Sequence, residues 1–463
     1  MPNYTDGNTY VCGIIGNPVR HTMSPLIHNT LAGDTGINLV YVPFEVRAGG
    51  LKAAVRGAYE LGIKGMNVTV PYKSDVIGYL KYVDPLAERI GAVNTLVRDE
   101  ALGGFRGYNT DMTGLFRAIE EEGIKLENEV VVILGAGGVA RPTAHLCISK
   151  GAAKVYILNR TPEKAEAIAA DVGDIRVIPM DIRDYSKLLA IEKSFFAIQC
   201  TSVGLFPDVN SAVIEDGEFY RHVHAALDVV YKPVETKFLK MAASAGAKVF
   251  SGLKMLLYQG VDAFEFWNAD DGVSIDKDEA DKIYRSLMLE VTGARNIILE
   301  GFMGSGKTTV SEILSERLDM ELLDTDSAIE TSDGRSISEI FEEDGEESFR
   351  DMETELLETI TEDHWRDMVI SLGGGLPLRE KNRELLKKAG KVVFLKVSPE
   401  IVYERLKGDD TRPLLKTSDP EESIRTLLEA RSDIYDAAAD IVIDTDNLTP
   451  EEIADEIIKA LGI

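Results

Sequence analysis

Short apolar, β-rich runs separated by helix-patterned stretches recur along the whole chain. Between residues 10 and 110, YVCGIIG (10–16), LVYVPFEV (39–46) and KGMNVTV (64–70) read as strands. A second block opens with EVVVILGAGGVA (129–140), an apolar strand that runs into a glycine-rich turn and then a helix. The runs KVYILNR (154–160), FFAIQC (195–200), ALDVVY (226–231) and KVF (248–250) continue it, with helical patterns between them. This βαβ rhythm predicts mostly parallel sheets. Residues 252–267 and 277–291 read as two consecutive helices, and a new apolar strand, NIILEGF, begins at 296. The stretch VTGARN (291–296) is the best junction between blocks, although no Pro- or Ser-rich linker marks it.

Composition narrows the class. With 463 residues the chain is long enough for several domains, and 44% hydrophobic with 28% charged residues is the balance of a folded, soluble protein. No apolar run reaches the roughly 18 residues a membrane helix needs, and the start MPNYTDGNTY has neither a basic patch nor an apolar core. The expected location is therefore cytoplasmic. A net charge of −28 argues against nucleic-acid or anionic-membrane partners. Anionic ligands then require cations placed locally, so Lys and Arg inside motifs carry information. Cys12, Cys147 and Cys200 are scattered and odd in number, which reads as three reduced thiols and not as a disulfide framework or zinc site. The histidines His21, His28 and His145 form no metal constellation, and Phe264 and Trp267, at helical spacing, read as core.

Residues Gly301-Phe302-Met303-Gly304-Ser305-Gly306-Lys307-Thr308, followed by Thr309, fit the phosphate loop G-x-x-x-x-G-K-[ST] between a strand and a helix. Glycines let backbone amides close around phosphate oxygens, Lys307 neutralises charge, and the Thr308 hydroxyl suits Mg²⁺. Downstream lie Asp324 and Asp326, Arg350 in FRDME, Gly373-Gly374-Gly375, Arg405, Arg412 in RPLL and Arg431 four residues before Tyr435. This ordered set resembles shikimate kinase from 296 to about 463. The resemblance implies a P-loop, nucleoside-monophosphate-kinase-like fold that takes ATP and Mg²⁺. It implies that Asp326, Arg350, Gly373, Gly374, Gly375 and Arg431 bind shikimate, that Asp324 and Thr308 serve the metal, and that Arg405 and Arg412 lie at the ATP and lid positions. Asp326, Lys307 and Arg412 become the catalytic set. Two arginines for a carboxylate and an Asp beside the reacting hydroxyl make chemical sense.

In the first half, Gly135-Ala136-Gly137-Gly138-Val139-Ala140 is by itself a weak dinucleotide signal. The next strand ends in Asn159-Arg160-Thr161, with Lys164 a turn later. A basic residue stands where an NAD site offers an acid, which suits the extra phosphate of NADP. The series GIIGNPVRHTMSPLIHN, GMNVTVPYK, GAVNTL, GYNTDMTGL, TSVGL, DVVYKP and GLKMLLYQG resembles shikimate dehydrogenase over about residues 10–290. The resemblance implies a substrate domain at 1–111 and 251–290, an inserted Rossmann NADP domain at 112–250, a linker at 291–295 and the kinase at 296–463. It also makes Lys73 and Asp111 the catalytic pair, and Thr22, Ser24, Thr69, Asn94, Tyr231 and Gln259 further substrate ligands. Gly252 joins the NADP positions. A lone Lys after Val-Pro-Tyr is more often a solvated cation, but ketone reduction needs a proton donor at the forming alkoxide. Thr22 replaces the family's usual Ser and adds a methyl, which leaves partial use of quinate open.

The expected function is NADPH-dependent reduction of 3-dehydroshikimate, followed by ATP-dependent phosphorylation of shikimate. Two alternatives remain at this point: a quinate/shikimate dehydrogenase joined to a kinase for another hydroxyacid, and a ligand sensor that has kept both folds. Partners are small molecules, and a homodimer stays open.

Overall fold

The computed structural model describes residues 5–205, 207–407 and 419–463. The chain divides into two compact units, one ending at Leu287 and the other beginning at Met288. This division falls inside the helix Lys277–Thr292. Among the described residues, no helix is long and apolar enough to cross a membrane.

The first unit holds two six-stranded sheets. One has the order Leu39–Glu45, Tyr10–Gly16, Gly65–Val68, Thr95–Asp99, Gly104–Tyr108, Tyr82–Val83. The sheet is mostly parallel, as the pattern predicts, with five strands in one direction and Thr95–Asp99 antiparallel to both neighbours. Four residues separate Thr95–Asp99 from Gly104–Tyr108. That suffices for a hairpin and is far too short for a crossover. The expectation overlooked both strands.

The other sheet is wholly parallel, in the order Lys248–Ser251, Val223–Asp228, Phe195–Gln199, Val130–Leu134, Lys154–Asn159, Val177–Asp181. This is the doubly wound arrangement, with its crevice where the strand order reverses beside Val130–Leu134. The strand shows why its sequence is uninterruptedly apolar. Val131 and Ile133 enter one core while Val132 and Leu134 enter the core on the opposite face.

Helix Thr110–Glu121, capped by the Asn109 side chain on the Met112 amide at 3.2 Å, packs against helix Leu253–Trp267. A side chain at Gly114 would place its Cβ 2.5 Å from the Gln259 nitrogen, so only glycine permits this crossing. Arg117 then reaches Asp262 at 2.5 Å. Phe264 and Trp267 lie in the core, and Trp267 donates to the Leu96 carbonyl at 2.9 Å. His28 is wholly buried and stacks on Tyr41 with ring centroids 4.2 Å apart. Burial lowers its pKa to about 3, so it is neutral packing. The three cysteines are buried and unpaired.

The second unit carries a parallel five-stranded sheet, ordered Glu321–Asp324, Met368–Ser371, Asn296–Glu300, Lys391–Lys396, Ile441–Asp444. Ile297 and Leu299 face one core and Ile298 the other. The C-terminal ends of the central strands open into the phosphate loop and the Gly373–Gly375 turn.

Candidate active sites

In the first unit a cavity of about 380 Å³ lies between the mixed sheet and the helix Leu253–Trp267. It brings together Thr22, Ser24, Thr69, Lys73, Asn94, Asp111, Tyr231, Gly252 and Gln259, drawn from segments scattered over the whole unit. Lys73 Nζ donates to Asp111 Oδ2 at 2.7 Å, and Asn94 Nδ2 donates to Asp111 Oδ1 at 2.9 Å. The hairpin sets this geometry. Asn94 enters its first strand, Tyr108 ends its second, and Asp111 sits in the first turn of the helix that follows. Asn94 Oδ1 in turn accepts from the Thr110 amide at 2.7 Å. Thr22 Oγ1 lies 3.1 Å from Ser24 Oγ, so both hydroxyls face the cavity as a pair. Gln259 donates to the Leu256 carbonyl at 2.9 Å, which leaves its amide oxygen free. Burial raises the Tyr231 phenol above its ordinary range.

Sequence reasoning overlooked Asn67, which lines the same cavity. Its Oδ1 accepts from the Tyr41 hydroxyl at 2.7 Å, and its Nδ2 donates to Thr95 Oγ1 at 3.2 Å. The available signal was its place two residues before Thr69 on one strand, hence on the same face. His21, Val229, Met255 and Leu256 also line the wall and were not foreseen as site residues.

The dinucleotide end is built from backbone. Gly135 has φ of 102°, a left-handed conformation, and a Cβ there would lie 2.4 Å from the Thr201 methyl. Gly137, Gly138 and Ala136 continue the turn, and Val139 precedes helix Ala140–Ser149 without any side-chain cap. The Ala140 amide donates to the Gly137 carbonyl at 3.1 Å and Pro142 has no N–H, so within this first turn the Arg141 amide is the one that could meet a pyrophosphate. Asn159 Nδ2 donates to the Thr161 carbonyl at 2.8 Å, which shapes the next turn. Arg160 and Lys164 are exposed there, and among the described residues no carboxylate pairs with either. Arg141, by contrast, is occupied by Asp171 at 2.7 Å. The residues present fit NADP(H): the turn after Lys154–Asn159 presents two exposed cations, Arg160 and Lys164.

In the second unit a cavity of about 510 Å³ gathers Met303, Gly304, Gly306, Lys307, Thr308, Thr309, Asp324, Asp326, Arg350, Gly373–Gly375 and Arg431. Lys307 Nζ donates to the carbonyls of Gly301 at 2.9 Å and Phe302 at 3.2 Å, which folds the loop around it. Asp324 Oδ1 accepts from the amides of Asp326 and Ser327, each at 3.1 Å. Its second oxygen and the Thr308 hydroxyl open on the same cavity, a hard-oxygen set that fits Mg²⁺ together with phosphate oxygens. Burial, reinforced by Asp324, raises the pKa of Asp326.

Arg350 is held as a fork between Glu353 at 2.8 Å and Glu346 at 2.9 Å. Glu353 is fully buried, and burial pushes it up to about 7 against the pull of Arg350. A Cβ on Gly375 would lie 2.2 Å from Arg350 Nη1, so this guanidinium lies flat on the glycine turn. Arg431 and the Tyr435 hydroxyl reach the Gly374 carbonyl at 3.4 and 2.6 Å. Arg405 donates to the Gly304 carbonyl at 3.1 Å, across the phosphate loop. Ser305 is buried within the loop, its hydroxyl without a hydrogen-bond partner among the described residues. Arg412 lies outside the described residues. Glu353 and the buried Glu300 were not singled out from sequence; the first could have been found as the acid of F-R-x-x-E.

Comparison with known proteins agrees with this division. The family model for the shikimate dehydrogenase substrate binding domain matches residues 14–96, and that for the saccharopine dehydrogenase NADP binding domain matches 131–249. The shikimate kinase family model matches 303–462. A shikimate dehydrogenase (NADP⁺) of Methanothermobacter thermautotrophicus is 42% identical over 266 residues, which is 57% of this chain and 93% of that protein. A shikimate 5-dehydrogenase from Listeria monocytogenes, solved with shikimate and NAD, is similar with a TM-score of 0.56 and 32% identity, over 60% of this chain and 97% of that one. The Thermus thermophilus enzyme, solved with NADP(H) and shikimate, gives 0.52 and 32%, over 60% of this chain and 100% of that one.

Proposed function

We propose, for a chain that belongs to the shikimate dehydrogenase family and carries a shikimate kinase domain behind it, a division of labour among the residues of its two cavities. The chain is a bifunctional enzyme of the shikimate pathway. Its first unit reduces 3-dehydroshikimate to shikimate with NADPH, and its second phosphorylates shikimate with ATP to shikimate 3-phosphate. The observation that carries the residue assignment in the first unit is the Lys73–Asp111–Asn94 chain of hydrogen bonds at 2.7 and 2.9 Å.

NADPH, when bound, supplies the hydride to the ketone carbon. Lys73 donates the proton to the oxygen that becomes the alkoxide, and Asp111 keeps the ammonium pointed at it. Asn94, by occupying the other carboxylate oxygen, prevents Asp111 from rotating away. Thr22 and Ser24 bind the substrate carboxylate as paired hydroxyls, while Thr69, Tyr231 and Gln259 orient the ring. Val229, Met255 and Leu256 exclude water from one wall, which strengthens each polar contact inside.

In the second unit ATP supplies the phosphoryl group, with Mg²⁺ held by Thr308 and Asp324. Arg350 and Arg431 bind the shikimate carboxylate, and Arg350 needs no reorganisation because Glu353 and Glu346 already hold it. Asp326 accepts the proton of the attacking hydroxyl, a task suited to a carboxyl whose pKa burial has raised. Lys307 and Arg405 stabilise charge on the phosphates. The net charge of −28 supports small molecules over nucleic acid as partners, and three buried unpaired thiols support a cytoplasmic setting.

The test is one incubation of the whole chain with 3-dehydroshikimate, NADPH, ATP and Mg²⁺, read by mass spectrometry. Shikimate 3-phosphate is the expected product. Accumulation of shikimate alone would remove the kinase assignments, and no turnover would favour the sensor.

A further inference from the structure

The second unit is strongly acidic: residues 288–463 contain 20 Lys and Arg against 42 Asp and Glu, a net of −22. Against that background, one cavity of about 240 Å³ is ringed by cations, among them Arg295, Arg366, Lys387 and Lys388, beside Trp365. It lies where the strands Asn296–Glu300, Met368–Ser371 and Lys391–Lys396 begin, so it sits at the opposite end of the sheet from the phosphate loop. None of its lining residues belongs to the kinase cavity.

The cavity has a rigid floor. Asn296 is 1% exposed and donates to the carbonyls of Trp365 and Ala389, both at 2.8 Å, while accepting from the Met368 amide at 3.1 Å. Its rim is a sharp turn. His364 and Asp367, neither of them glycine, have φ of 53° and 62° and bracket Trp365 and Arg366. Left-handed backbone at two residues within four positions turns this segment sharply and brings Trp365 and Arg366 to the rim, and His and Asp are among the non-glycine residues that adopt it most readily.

The charges are not satisfied from within. Arg295 is neutralised by Asp367 at 2.8 Å and Glu290 at 3.6 Å, yet its Nε is buried without an acceptor. Arg366, Lys387 and Lys388 are exposed and none makes a hydrogen bond or close ion pair among the described residues, although Arg366 lies within electrostatic reach of Asp367 and Glu290 also lines the cavity. Complementing the helix dipole accounts for two lysines in the last turn of Glu380–Ala389. It does not account for Arg366, which comes from a different loop, nor for the cavity they share.

We propose that this cavity is a second anion site, which takes a phosphomonoester of small-metabolite size independently of the phosphate loop. Lys387 and Lys388, with Arg366 only partly offset by Asp367, suit a dianion. The Arg366 fork matches tetrahedral phosphate oxygens, and lysine ammonium groups add point charges. Trp365, 36% exposed, offers an apolar face to the body of the ester.

The chain has two tryptophans, and Trp267 is buried in the first unit, so Trp365 is the exposed reporter. Titrating the full-length protein with phenyl phosphate should give saturable quenching of tryptophan fluorescence, with inorganic phosphate binding more weakly. Lys307→Ala should leave the curve unchanged, because that residue serves the phosphate loop. Arg366→Glu and Lys388→Glu should each weaken binding by about tenfold or more, the scale of one charge-assisted contact. Both positions are exposed, and kinase turnover of each variant reports that it is folded. Absence of saturable quenching, or quenching indifferent to the two charge reversals, would overturn the site. Succinate binding as tightly as phenyl phosphate would overturn the assignment to a phosphate ester.

Discussion

Lys73 Nζ and Asp111 Oδ2 lie 2.7 Å apart although 38 residues separate them in the chain. The intervening hairpin delivers Asn94 to the same carboxylate, so the proposed proton donor Lys73, the acid that orients it and the amide that holds that acid form one hydrogen-bonded unit. Lys73→Ala is therefore expected to reduce dehydrogenase kcat by roughly 10² or more while kinase kcat is unchanged. Coupled-assay kinetics on the full chain check both numbers, and an unaltered reductase rate would remove Lys73 from the proton transfer.

Arg160 is exposed, unpaired and set one residue beyond the strand Lys154–Asn159, where no acid competes for a ribose hydroxyl. Arg160→Ala should raise KM for NADPH by about tenfold, the loss of one charge-assisted contact, and leave KM for NADH nearly unchanged. Equal effects on the two cofactors would mean that another residue reads the extra phosphate.

Glu300 ends the strand that enters the phosphate loop, is wholly buried, and has no hydrogen-bond partner for either carboxylate oxygen among the described residues. Burial raises its pKa from 4.5 to about 8, with Lys307 and Arg383 opposing and Asp436 adding to the rise. The folded state therefore holds a proton that the unfolded state releases near 4.5. This contribution to stability is complete below that pH and declines as pH rises towards about 8. Glu300→Gln should flatten the fall of the second unit's melting temperature over that window. Glu300→Met, which removes the unpartnered carboxyl, should stabilise the unit by about 1–3 kcal/mol at neutral pH. Calorimetry across the pH range measures both.

Gly114 lies where a Cβ would come within 2.5 Å of the Gln259 backbone nitrogen. Gly114→Ala should cost about 1–3 kcal/mol by forcing the two helices apart. It should also raise KM for shikimate, because Gln259 lines the substrate cavity. Kinase parameters measured on the same preparation serve as the internal reference and should not move.

The boundary between the units falls inside the helix Lys277–Thr292, and Leu289 and Ala294 are buried in the core of the second unit. A kinase fragment starting at Arg295 loses both. It should be less stable by about 1.5–3 kcal/mol, the value of one buried leucine, than a fragment starting at Lys277. Urea unfolding of the two fragments decides it, and equal midpoints would show that the helix end adds nothing to the kinase core.

The phosphate loop was legible because its working parts are contiguous. Gly301, Gly304, Gly306, Lys307 and Thr308 act through backbone amides and side chains within one strand–turn–helix unit, and no distant segment is needed to define it. Apolar strands such as Val130–Leu134 were legible for a similar reason, since burial on both faces demands an unbroken run of apolar residues. The strands Thr95–Asp99 and Gly104–Tyr108 were not, because polar residues and arginines interrupt their pattern on the solvent side.

By itself, the sequence determined the local chemistry: where a phosphate loop and a dinucleotide turn must form, and that Arg160 replaces an acid. The order of its motifs also pointed to two enzymes acting on one metabolite. Only the tertiary structure decided which distant groups meet. It joined Lys73, Asn94 and Asp111 through an antiparallel hairpin, and placed Asn67 behind them. It set Glu353 under Arg350, left Glu300 buried without a partner, and collected Arg295, Arg366, Lys387 and Lys388 around one cavity. The physical reason is that backbone preference and hydrophobic period act over a few neighbouring residues. The environment of a charge is set by whatever segment the fold closes over it.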